Sequence, residues 1–67
     1  MTITLNGETT GQFVKPMPVS EMLDQLKMSG KPVLVELNGV ALYPREFAEK
    51  LIEDGARIEL IQIAAGG

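Results

Sequence analysis

The residues best suited to chemistry are the last two, Gly66 and Gly67, which follow a mostly apolar stretch from Ile58 to Ala65. Glycine has no Cβ, so a Gly-Gly segment threads a slot that any larger residue would block. It also reaches backbone angles closed to other residues. The arm from Ala64 to Gly67 is expected to be mobile on the ps–ns timescale. It ends in one group, the α-carboxylate of Gly67, which needs no side-chain partner of its own. It needs another protein to activate it. Gly67 is then the working residue, Gly66, Ala65 and Ala64 are the threading arm, and residues 1–63 are the scaffold. Small, polar ends are also common in proteins without any such role, so the rest of the chain has to decide.

Composition removes most alternatives. The chain has no Cys and no His. No disulfide can form, so the fold rests on packing. Zinc sites of the usual Cys/His kind lack their ligands, and thiol nucleophiles and imidazole bases are absent. Sulfur chemistry, if any, must draw its sulfur from outside. Neither a metal site nor a bound cofactor is expected. The 67 residues make one domain, which buries only roughly 60% of its unfolded surface. That leaves no room for a core plus a deep, walled substrate pocket.

Six Lys and Arg stand against nine Asp and Glu, for a net charge of -3. The six are scattered, with no basic stripe or aromatic platform, which argues against nucleic acid. No apolar run approaches the ~20 residues of a membrane span. The first residues lack the basic and apolar regions of a signal peptide. A cytoplasmic protein, monomeric when free, is expected.

The elements that must present the tail follow from periodicity. Ile3 and Leu5 alternate with Thr2, Thr4 and Asn6, as in a half-buried strand. Asn6-Gly7 signals a hairpin. The loop is expected to extend through Gly11, with a second strand over Gln12 to Lys15 and Phe13 pointing inward. Pro16 and Pro18 end it. Val19, Met22, Leu23 and Leu26 fall at i, i+3, i+4 and i+7, an amphipathic helix of about two and a half turns. Ser20 is its expected N-cap and Gly30 its stop. Met17, Met22 and Met28 read as core filler around it.

Val33, Val35 and Leu37 share the core face of a third strand, and Leu34 and Glu36 take the other. Asn38-Gly39 signals a second hairpin, leading into a fourth strand from Val40 to Tyr43. Pro44 suits the first turn of a short second helix, with Phe47, Leu51 and Ile52 as its apolar face. The last strand runs from Arg57 to Ala64. Ile58 and Leu60 face the core, and parity puts Ile61 and Ile63 on the opposite side. The result is an α+β domain in two layers, a mixed sheet of four to five strands on one main helix. The final strand inserts between the outer ones.

These residues carry a resemblance. The element order and the Gly-Gly end resemble the β-grasp, ubiquitin-like fold. Within it the chain is similar to the thiamine-biosynthesis sulfur carriers of the ThiS family. The carrying segments are Leu5-Asn6-Gly7, the helix from Val19 to Leu26, Asn38-Gly39, Tyr43-Pro44-Arg45, and Asp54-Gly55 through Gly66-Gly67. The similarity spans essentially the whole chain. Tyr43 departs from it, since an aliphatic residue is more usual there.

The resemblance implies a mechanism. The terminal glycine carboxylate is adenylated with ATP by an E1-like adenylyltransferase of the ThiF/MoeB type. A persulfide sulfur donor then converts it to a thiocarboxylate. That group gives its sulfur to a thiazole synthase of the ThiG type. Gly67 would carry the sulfur, and Gly66 would grant access. The chain would be a recycled co-substrate and not an enzyme. Carriers for molybdopterin or other metabolites share the fold and the tail. A passive ubiquitin-like interaction module is the alternative outside carrier chemistry.

Ile61, Ile63 and Leu34 are the expected docking set, because parity places all three on the outer face near the root of the tail. Glu36 and Glu59 share that face; they read as ordinary solvated surface or, in the sharper reading, as the complement of a basic rim on the activating enzyme. Tyr43 is expected to pack with its hydroxyl at the surface, and Arg45 to have no special role.

Overall fold

A computed structural model describes residues 1–63 of the chain. Its elements are β1 (Ile3–Leu5), β2 (Glu8–Thr10), β3 (Met17–Pro18), α1 (Val19–Gln25), β4 (Val33–Leu37), β5 (Val40–Leu42), a 3-10 turn (Pro44–Glu46), β6 (Leu51–Ile52) and β7 (Arg57–Gln62). Five strands form one sheet in the order β2-β1-β7-β4-β5, and β3 pairs with β6 in a separate two-stranded ribbon. β7 lies at the centre, parallel to β1 and antiparallel to β4. The mixed five-stranded sheet on one helix is the expected β-grasp arrangement, with its last strand inserted between the outer ones.

Both hairpins turn on Asn-Gly. Asn6 and Gly7 have φ of 50° and 82°, and Asn38 and Gly39 have 52° and 85°. Two consecutive positive φ values match the right-handed twist of paired strands. Each asparagine also ties its hairpin to β7. Asn6 Oδ1 accepts from Leu60 N at 2.8 Å, and Asn38 Oδ1 accepts from Arg57 N at 2.8 Å.

The first of these turns overturns the expected second strand. Asn6-Gly7 closes at once, so β2 is Glu8–Thr10, pairing Leu5 with Glu8 and Ile3 with Thr10. Residues 12–15 are outside the sheet. Phe13 is nevertheless buried, 1% exposed, and fills the core from a loop.

The helix begins and ends differently from expectation. Its N-cap is Pro18, with no side-chain cap bond. Val19 N and Ser20 N donate instead to the carbonyls of Lys50 and Phe47, each at 3.0 Å. Tertiary acceptors thus satisfy the first two backbone donors of the helix, which have no partner within it. At the other end, Lys27 takes φ of 59°. Lys27 N donates to Asp24 O at 3.0 Å and Met28 N to Leu23 O at 2.8 Å. This is a Schellman motif with lysine where glycine usually sits. It stops the helix before Gly30.

The expected second helix is a single 3-10 turn. Leu51 and Ile52 belong to β6, where Ile52 pairs with Met17. Ile52 is fully buried and Leu51 is exposed, the alternation of a strand.

The core joins Ile3, Val35, Ile58 and Leu60 of the sheet to Val19, Met22 and Leu23 of α1, with Phe13, Met17, Ile52 and Ala56 closing it. Leu5, Leu26, Met28, Val33 and Leu37 pack half-buried around it. Each fully buried aliphatic side chain stabilises by about 1.5–3 kcal/mol relative to exposure. Among the described residues no polar or charged side chain is buried.

Candidate functional site

The central strand leads directly to the tail. β7 pairs with β4 through Val33↔Gln62, and Ile63 N donates to Pro32 O at 3.0 Å. The hydrogen-bonded ladder therefore holds the chain up to Ile63. The expected threading arm and working residue, Ala64, Ala65, Gly66 and Gly67, lie outside the described residues, as does the expected division between domain and tail.

Next to that root the outer face is apolar. Leu34 stands opposite Ile61, and the two are 53% and 49% exposed, with Ile63 at 46%. Strand alternation forces this, because Val35 and Leu60 on the same two strands are buried in the core. Leu34, Ile61 and Ile63 are all exposed, as their parity predicts.

Two residues along the strands, on the same face, Glu36 stands opposite Glu59. Glu36 is half-buried and Glu59 exposed. Like charges directly opposite across a sheet are destabilising, so the fold gains nothing from this pair. The two expected acidic positions are thus brought together beside the apolar pair.

Tyr43 is the residue that sequence reasoning misplaced. It is 62% exposed, not packed away. The Arg45 guanidinium carbon lies 4.6 Å from its ring centroid, within cation–π range. The signal was available in parity, since Leu42 is the last core-facing residue of β5. Leu34, Tyr43 and Ile63 line one open groove of about 800 Å³, together with Leu23, Met28 and Phe47. The chain thus has more concave surface than its length suggests, but it is a groove open to solvent and not a walled pocket.

Nothing in this region resembles a catalytic centre. The described residues contain no group of three or more acidic, His or Cys side chains able to hold a metal ion. No described helix is long and apolar enough to cross a membrane. What the geometry offers is a central strand, hydrogen-bonded up to Ile63, whose end lies beside an exposed apolar face.

Residues 3–67 match the model of the ThiS family. The chain belongs to the ThiS family. It is a small sulfur carrier of the thiamine-biosynthesis type and not a catalyst. The crystal structure of a thiamine biosynthesis protein (ThiS) from Geobacter metallireducens superposes with a TM-score of 0.83 at 33% identity, covering all of both chains. The solution structure of a thiamine biosynthesis protein from the same organism gives 0.82 at 33% identity, covering all of this chain and 88% of the other. No curated protein matches the chain.

Proposed function

We propose that this protein carries sulfur as a thiocarboxylate on Gly67 and delivers it for the thiazole ring of thiamine. The carboxylate attacks the α-phosphate of ATP on an E1-like adenylyltransferase of the ThiF/MoeB type, releasing pyrophosphate. The acyl-adenylate supplies the leaving group that a bare carboxylate lacks. The terminal sulfur of a persulfide donor attacks the acyl carbon and displaces AMP. A thiol then cleaves the resulting S–S bond, which frees the thiocarboxylate for a thiazole synthase of the ThiG type.

One observation carries this reading. The central strand ends beside the exposed Leu34–Ile61 pair, so a partner gripping that face also meets the point where the chain continues toward Gly67. Ile63 extends the docking surface to the root of the arm, and Glu36 and Glu59 give it a negative border. Gly66, Ala65 and Ala64 offer no bulk to a narrow active-site entrance. The carrier supplies no acid, base or metal, and its partners bring them. The proposed setting is the cytoplasm, with the free carrier a monomer.

Reconstitution tests the proposal. The chain, ATP, the E1-like enzyme and thiazole synthase of the same genome, and a persulfide donor should together support thiazole formation. A chain lacking Gly67 should support none while keeping its fold. Equal thiazole formation by the truncated chain contradicts the proposal. Activity with a molybdopterin synthase alone would reassign the pathway.

A further inference from the structure

Tyr43 and Arg45 play no part in the function proposed above, yet they border the same face. The β4–β5 register pairs Val35 with Leu42. One further step sets Tyr43 beside Leu34, which itself stands opposite Ile61. Leu42 packs on the core, so alternation turns Tyr43 outward. Tyr43, the residue directly after β5, thus extends the exposed row made by Leu34 of β4 and Ile61 of β7.

The row ends in a cation held in place. Pro44 restricts the backbone between Tyr43 and Arg45. Glu46 closes the turn from both sides: its Oε1 accepts from Tyr43 N and its N donates to Tyr43 O, each at 2.8 Å. Arg45 lies over the Tyr43 ring at 4.6 Å. A cation already positioned in this way costs less ordering when a partner binds. Charge is therefore arranged around the apolar row with two signs: the Glu36–Glu59 pair lies two residues along the strands, and Arg45 lies in the turn that follows β5.

We propose that the Tyr43–Arg45 stack determines partner specificity on the docking face, receiving a carboxylate side chain of the activating enzyme while a basic group of that enzyme faces Glu36 and Glu59. This rests on the docking face proposed above. A partner turned the other way round would set its acid against the two glutamates and its base against Arg45. The two signs thus select one orientation and disfavour the rest.

The test is a titration of the whole chain against the E1-like adenylyltransferase of the same genome, at low and high salt. Arg45→Glu should weaken binding more than about tenfold at low salt and less at high salt, as expected of a charge contact. Arg45→Lys should fall between, since it keeps the charge and loses the planar stack. Tyr43→Ala should weaken binding at both salts. Leu34→Asp reports on the docking face itself. Wild-type affinity for Arg45→Glu and Tyr43→Ala, with Leu34→Asp impaired, overturns the specificity role and leaves the docking face standing. Wild-type affinity for all three overturns both. A lowered Tm with unchanged affinity would reduce the stack to a stabiliser of the turn and also overturn the proposal.

Discussion

Asn38 and Arg57 exchange two hydrogen bonds across 19 residues of sequence: Asn38 N donates to Arg57 O at 2.7 Å, and Arg57 N donates to Asn38 Oδ1 at 2.8 Å. The residue that turns the second hairpin thereby fixes the start of the central strand. Asn38→Ala removes the acceptor and places alanine at φ of 52°. It should destabilise by about 2–3 kcal/mol, combining a lost hydrogen bond and left-handed strain. Asn38→Gly keeps the backbone freedom and should cost only about 1 kcal/mol. Urea unfolding of the three proteins checks the order. Equal stability of the alanine and glycine variants would contradict the turn argument.

Lys27 makes the opposite case. It occupies the left-handed position of the helix stop, at φ of 59°, where glycine pays no steric cost. Lys27→Gly should raise stability by up to about 1 kcal/mol. A higher Tm is the expected reading. A clear loss of stability would show that the lysine side chain does more than tolerate its conformation.

The Glu36–Glu59 pair sets stability against association. Glu36→Gln removes one of two facing carboxylates and should raise stability by a few tenths of a kcal/mol. Reversal of both charges should slow adenylation by the E1-like enzyme, more at low salt than at high. Stopped-flow or initial-rate measurements at two salt concentrations decide it. Unchanged rates would remove the acidic border from the docking face.

Ile61→Asp should leave the fold in place, because Ile61 is half exposed, and should weaken carrier–enzyme binding by tenfold or more, as loss of a central apolar anchor does. Circular dichroism and a binding titration on the same sample separate the two effects. Undiminished binding would mean that the partner grips elsewhere.

What the sequence revealed depended on burial. β1, β4 and β7 each place one face on the core, so their alternation was legible, and the exposure of Leu34, Ile61 and Ile63 followed from it. β2 was missed because Glu8, Thr9 and Thr10 have no apolar face. An edge strand held by backbone bonds leaves no hydrophobic pattern, and the nearest buried apolar residue, Phe13, lies in a loop. The helix ends were missed for other reasons. The acceptors for Val19 and Ser20 come from Lys50 and Phe47, far along the chain, and the stop falls on a lysine. β3 and β6, two residues each, are too short for any period to register. Tyr43 is exposed, not packed, because its place after the core-packed Leu42 turns it outward.

The central claim is that Gly67 carries sulfur, and intact-protein mass spectrometry tests it most directly. The chain is mixed with ATP, the E1-like enzyme of its genome and a persulfide donor. The account predicts a mass gain equal to exchange of one oxygen for one sulfur, localised to Gly67, and abolished in Gly66→Val although that variant folds. An unchanged mass with every active E1-like enzyme of that genome, from a folded carrier, would contradict it.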